Sequence, residues 1–509
     1  MHAISAKMYP ALLLTLTTLF LQSCGSGAQV NPAIEPNYHL LTRCAKPESA
    51  AIFGVMEDSL CGTISVFEDR SIKTGRKIDL NIMLLPATAS ARQPDPIFFL
   101  AGGPGQSAVD SGPYLFARLH KLRKDRDVVL VDQRGTGESN SLACELDESA
   151  MEILGLSIEE TIELQIANLK QCLTTYDADP RLYTTAIAMD DLDEVRLALG
   201  YDKINLIGIS YGTRAALVYL RRHEESVRSL ILDAVVPLTM PIPKNVAVDA
   251  QSAFDKLLTD CESQPACSAT YPDLALHFRE LSTRVPAMVT VNHPRSGQAI
   301  TTRIDPLLIN RLVRAVMYDR TLSRLLPLAI EEAYKGDYSS LSTLAYTLTG
   351  EDSQISTGMM VSVLCSEDMK LVNSPSNTKD FDNALYESLA PICEFWPAGS
   401  IPEAFFDAVV SDVPVLLTSG ILDPITPPKY GWEAAATLSN SEHIVVSGVG
   451  HGSILAGCMP EIVAGFIASP DPKSISAGCT SNLSRPAFFT SYAGAVSREA
   501  LDAQEKTDD

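Results

Sequence analysis

Asn205-Leu-Ile-Gly-Ile-Ser-Tyr-Gly-Thr-Arg-Ala-Ala-Leu-Val-Tyr-Leu220 reads as a buried strand, a tight turn and an amphipathic helix continuing to Arg222. At the junction, Gly208-Ile-Ser-Tyr-Gly212 is a G-x-S-x-G. A nucleophile on so tight a turn needs neighbours without side chains, because strand and helix cross closely there. The hydroxyl of Ser210 then projects above the sheet, and the amide of Tyr211 faces an oxyanion developing on a bound acyl group. Five residues of this kind are a weak signal alone. The strand before and the helix after make Ser210 a candidate nucleophile.

Outward from this point the pattern is α/β. Apolar runs at Cys61–Phe67, Ile78–Leu85, Ile97–Leu100 and Val128–Val131 are each bounded by Pro, Gly or charge, and the last two lead at once into glycine-rich turns. A helix over Asp190–Leu199 ends at Gly200, where a C′ glycine belongs. Leu230–Leu232 is a further short strand. From about Pro237 to Glu403 helical periodicity takes over, as in Ile309–Val316 and Leu322–Tyr334, and strand signals return at Val413–Thr418 and His443–Val446. A sheet interrupted once and then completed implies a mostly parallel α/β core flanked by helices and carrying an inserted, mainly helical cap. The expected division is a core over 41–236 and 406–485, a cap over 237–405, and a loosely packed polar tail over 486–509.

A serine needs a base, and the base needs orienting. Of eight histidines, His2 and His39 precede the core, His120, His223, His277 and His293 sit in charged or helical surroundings, and His443 begins a strand. His451 remains, in Gly448-Val-Gly-His-Gly452 directly after that strand, where flanking glycines leave it free to reach over the rim of the sheet. Thr418-Ser-Gly-Ile-Leu-Asp-Pro-Ile-Thr-Pro-Pro428 supplies Asp423 on a proline-stiffened loop after the preceding strand. Its carboxylate would fix the imidazole tautomer and stabilise the imidazolium. A second oxyanion donor is expected from Phe98-Phe-Leu-Ala-Gly-Gly-Pro-Gly105, with the Gly103 amide as candidate. A phosphate-binding reading of these glycines fails, because the Lys-Ser/Thr partner of a P-loop is missing.

The N-terminal segment points to export. Lys7 precedes an apolar run of about eleven residues over 11–21, too short to span a bilayer and suited to a signal peptide. Leu21-Gln-Ser-Cys24 resembles a bacterial lipobox, so residues 1–23 read as a cleaved leader, Cys24 as a lipidated anchor to the cell envelope, and 24–40 as a small-residue tether. Of eleven cysteines, setting Cys24 aside leaves Cys44, Cys61, Cys144, Cys172, Cys261, Cys267, Cys365, Cys393, Cys458 and Cys479. An oxidising compartment lets them pair, and pairing sequence neighbours is one of the connectivities open to them. No cysteine or histidine cluster has zinc-like spacing, so no metal and no cofactor are expected. The net charge of −22 argues against a nucleic-acid partner.

Taken together, Gly102-Gly-Pro-Gly-Gln-Ser107, Asp132-Gln-Arg-Gly-Thr-Gly-Glu-Ser139, Gly208–Gly212 and Asp423-Pro-Ile-Thr-Pro427 resemble the proline iminopeptidase family, most nearly its secreted branch related to tripeptidyl aminopeptidases. The resemblance implies an α/β-hydrolase fold and a serine aminopeptidase that releases N-terminal residues, proline or a di- or tripeptide, from short peptides through an acyl-enzyme. An exopeptidase must hold an α-ammonium group. Glu367 and Asp368 in Cys365-Ser-Glu-Asp368 are similar to the acidic segment of the secreted branch, and a disulfide from Cys365 to Cys393 would hold them rigid. The Trp-Glu cap motif of the cytosolic branch is missing, which leaves chain length open. Asp132 and Arg134 are expected to pin the loop under the oxyanion site. Two other readings stand beside the peptidase: a carboxylesterase or amidase using the same triad, and a catalytically silent lipoprotein that binds peptides.

Overall fold

The computed structural model describes residues 36–495, apart from 47, 48, 50, 51, 145–157, 286, 293–296, 349–354, 373, 375 and 377. The leader, most of the tether and Cys24 lie outside the described residues. Eleven strands follow in chain order: β1 Thr42–Arg43, β2 Leu60–Phe67, β3 Lys77–Leu85, β4 Ile97–Leu100, β5 Val128–Val131, β6 Ile204–Ile209, β7 Val227–Asp233, β8 Ala287–Asn292, β9 Ala299–Ile304, β10 Val415–Gly420 and β11 Ser441–Val446. Nine form one sheet in the order β1-β2-β3-β5-β4-β6-β7-β10-β11. The pairs β1–β2, β2–β3 and β3–β5 are antiparallel, and every pair from β5 to β11 is parallel.

Strand periodicity sorts the core into two layers. Phe98, Leu100, Leu206, Leu232 and Leu417 face the helices Thr185–Ala198 and Tyr211–Arg222 on one side. Their neighbours Ile97, Phe99, Ile207, Ile231 and Leu416 face the helices Ala108–Arg118 and Met459–Ala468 on the other. Such double coverage is what a parallel sheet requires, and it explains why these strands are apolar throughout. Gly200 adopts φ +81° one residue beyond the C-cap Leu199, so the predicted helix stop lies where the chain turns.

The insertion between β7 and β10 begins with the helix Ile242–Glu262 and has its own core, built around Phe254, Phe278, Leu281, Val313, Leu326 and Phe381. It is mainly helical, as expected, but it also holds the β8–β9 hairpin, which helical periodicity concealed. Two boundary expectations are corrected. The end of the tether is docked: the Asn37 amide donates to Leu199 O, and the Tyr38 hydroxyl bonds the Asp127 carboxylate. The start of the tail is packed too. Phe488 is 1% exposed inside the cap core, the Phe489 amide donates to Arg324 O, and Tyr271 donates to Phe489 O.

Ten cysteines form the neighbour pairs Cys44–Cys61, Cys144–Cys172, Cys261–Cys267, Cys365–Cys393 and Cys458–Cys479. No described helix is long and apolar enough to cross a membrane.

Candidate active site

Three loops leave the carboxyl ends of the parallel strands β6, β10 and β11, with β7 lying between the first two. Ser210 follows β6 at φ 57°, ψ −127°, a backbone conformation that few L-residues adopt and that turns the side chain off the strand's line. The flanking glycines are required by contact. A Cβ at position 208 would lie 2.4 Å from Gly212 O, and one at 212 would lie 2.1 Å from Leu100 O. Gly102 lies against the elbow as well, since its Cβ would sit 3.3 Å from that of Ser210.

Asp423 follows β10 and His451 follows β11. The imidazole Nδ1 donates to Asp423 Oδ2 at 2.9 Å, which fixes the proton on Nδ1 and leaves Nε2 as the acceptor. The rest of the carboxylate is satisfied by the Ile425 and Thr426 amides, both at 2.9 Å, and by Thr426 Oγ1 at 2.7 Å. Burial alone would raise the Asp423 carboxyl, but the imidazole and the Thr426 donors hold it below its usual range. Burial disfavours the imidazolium, yet the negative charges of Asp423 and, more weakly, Asp233 outweigh it, so His451 titrates above the ordinary 6.5. The glycines around His451 do two jobs. A Cβ at 450 would meet Tyr318 O at 2.3 Å, and one at 448 would meet Ser484 at 2.3 Å, so these two admit close packing, while Gly448 and Gly452 take φ +64° and +83°, conformations that favour glycine. The His451 amide donates to Tyr318 O, and the Tyr318 ring lies 4.9 Å from the imidazole, so the cap bears directly on the base.

The Gly103 and Tyr211 amides have no hydrogen-bond partner among the described residues, whereas the Gly102 amide is taken by Gln106 Oε1 at 3.2 Å. Two free amides beside the elbow serine are what an oxyanion site requires. Asp132 supports this loop. It accepts from Ser107 Oγ, the Val109 amide, Asn81 Nδ2 and the Glu138 amide. Arg134, with no exposed surface, pairs bidentately with Asp191 at 2.6 and 2.9 Å.

The profile of the alpha/beta hydrolase fold family matches residues 95–457, well over half the chain. The chain belongs to the alpha/beta hydrolase fold family. Within it, serine protease Hip1 of Mycobacterium tuberculosis is 25% identical over 460 residues, covering 83% of this chain and 87% of its own. A putative hydrolase of Escherichia coli, YuaR, is 25% identical over 446 residues, 81% of this chain and 86% of its own. Tripeptidyl aminopeptidase of Streptomyces lividans is 26% identical over 255 residues, 47% of this chain and 46% of its own. Among solved structures, proline iminopeptidase of Mycobacterium smegmatis covers 81% of this chain and 100% of its own at 15% identity, with a TM-score of 0.36. This member of the alpha/beta hydrolase fold family is a serine hydrolase with peptidase-related homologues, and its five disulfides point to an exported protein.

One expectation needs correcting. Glu367 and Asp368 are not arranged to receive a substrate's ammonium group, because both are buried and engaged within the protein. The Glu367 oxygens accept from the Thr185 amide and Oγ1, each at 2.8 Å, and Thr185 Oγ1 also bonds the Tyr211 hydroxyl at 2.6 Å. Asp368 pairs with Arg214 at 2.8 and 3.1 Å and accepts from the Ile242 amide at 2.8 Å. Burial pushes Glu367 from 4.5 up to about 7. The acidic pair thus clamps the cap to the helix behind Ser210. Sequence reasoning also missed Tyr318 and Asp233. Tyr318 carries no motif. Asp233 ends the strand beside the elbow, and that position was its only signal.

Proposed function

We propose that the chain is an exported serine aminopeptidase that removes N-terminal residues from short peptides. The observation that carries this reading is the Asp423–His451 hydrogen bond, together with a strained Ser210 at the end of a parallel strand of the same sheet. Ser210 attacks the acyl carbon, and His451 Nε2 takes the hydroxyl proton. The Gly103 and Tyr211 amides bind the oxyanion, and His451 returns its proton to the leaving amine. Water, losing a proton to His451, then attacks the acyl carbon; the bond to Ser210 Oγ breaks, the N-terminal fragment leaves as a carboxylic acid, and Ser210 regains its proton. Relatives named as a serine protease and a tripeptidyl aminopeptidase support a peptide over a simple ester as substrate. Lipidation at Cys24 would hold the enzyme at the cell envelope, where short peptides reach it.

The test is digestion of a defined peptide library with free N-termini, alongside an N-acetylated copy, read by mass spectrometry. Release of one to three N-terminal residues, abolished by acetylation and by Ser210→Ala, is the expected result. Equal turnover of acetylated peptides, or of simple esters alone, contradicts it.

A further inference from the structure

Asp233 closes β7, the strand between the one that leads to Ser210 and the one that leads to Asp423. It has no exposed surface. Its backbone oxygen accepts the Ser210 amide at 2.9 Å. Its carboxylate Oδ1 accepts from Thr418 Oγ1 on β10 at 2.7 Å, and from the Ser453 amide and hydroxyl at 2.9 and 2.6 Å. Oδ2 accepts from the Ile454 amide at 3.2 Å. Ser453 and Ile454 are the second and third residues after His451. One buried residue therefore touches the nucleophile's turn, the acid's strand and the base's loop.

The four donors around this side chain favour an acid over its amide. An asparagine would offer a single acceptor oxygen and place an amide donor against donors. A carboxylate satisfies all four donors and also sets a second negative charge behind the imidazole. We infer that Asp233 is a positioning residue of the catalytic apparatus, holding the His451 loop in register with Ser210 and strengthening His451 as a base through its charge. This rests on the triad reading above. The other groups facing His451 are Asp423 from the β10 loop and the Tyr318 phenol from the cap, with Arg314 behind that phenol.

The sign of the charge effect is fixed. An anion beside an imidazole favours the imidazolium, so removing it lets the neutral base persist to lower pH. The experiment measures the rate at which a fluorophosphonate labels Ser210, as a function of pH, in the full-length enzyme and in Asp233→Asn, with thermal denaturation of each. The expected result for Asp233→Asn is a midpoint moved to lower pH by about half a unit or more and a plateau rate about 10- to 100-fold lower. Ser453→Ala keeps the charge while removing one hydrogen bond, and should slow labelling about threefold or more with no acid shift of the midpoint. A folded Asp233→Asn with the wild-type midpoint overturns the inference. If Asp233→Asn does not fold, labelling of Ser453→Ala at the wild-type rate overturns it instead. Wild-type enzyme that takes no label at Ser210 contradicts the triad reading, a distinct failure.

Discussion

At the residue scale, the elbow glycines and the imidazole make the sharpest demands. Gly212 has backbone 2.1 Å from where a Cβ would sit, and backbone cannot rotate aside as a side-chain tip can. Gly212→Ala should therefore cost about 1–3 kcal/mol in a denaturant melt, together with a large loss of turnover; wild-type stability would show that the turn is looser than described. The need for glycine at 208 and 212 was legible in sequence, because strand, turn and helix were all visible around them. The reason for glycine at 450 was not legible, since Tyr318 lies 132 positions away in the chain. The titration of His451 sets the acid limb of activity. In the proposed mechanism the neutral imidazole is the working base, and Asp423 and Asp233 hold its titration above 6.5. Activity should therefore rise through a midpoint above pH 6.5. Asp423→Asn should lower kcat about 10⁴-fold by favouring the wrong tautomer. A pH–rate profile of kcat/KM checks the first expectation, and steady-state kinetics of the variant checks the second.

At the element scale, the clamp between cap and elbow helix stands out. Arg214 on the helix Tyr211–Arg222 and Asp368 in the turn Leu364–Asp368 form a fully buried pair. Truncating one partner leaves the other charge without compensation, so Asp368→Ala should lose about 3–5 kcal/mol in urea unfolding. Glu367 responds to pH in the opposite sense from most carboxylates. Its folded value, about 7, lies above the ordinary 4.5, so the folded state binds the extra proton between those limits. Its contribution to stability is full below about pH 4.5 and declines as pH rises through 7. Glu367→Gln should flatten that decline in thermal melts from pH 5 to 8, and an unchanged slope would show that another group is responsible. The sequence presented Glu367 and Asp368 as a conspicuous acidic pair, which suggested substrate contact. Their partners Thr185 and Arg214 lie 182 and 154 positions away, and no local pattern reveals such burial.

At the scale of the whole molecule, the mostly parallel sheet and its helical insertion were readable, because each depends on local periodicity and turn chemistry. What escaped was long-range closure: the docked end of the tether, the β8–β9 hairpin, and the return of the chain at Phe488 to seal the cap core. Phe488 sits in the short apolar run Pro486–Phe489, too brief to show a helix or strand period. Phe488→Ala should cost about 3–5 kcal/mol, detectable as a lower urea midpoint, whereas a tail that merely trails would leave the midpoint unmoved. In the mechanism proposed here all these features serve one chemical event, acyl transfer to the hydroxyl at the elbow. The most direct measurement is acid quenching of the enzyme during turnover of an activated peptidyl substrate, followed by peptide mapping. An acyl group carrying the substrate's N-terminal part should be found on the peptide containing Ser210, and should disappear in Ser210→Ala. Turnover with no acylated peptide in either protein, or with the acyl group on another residue, would contradict the mechanism.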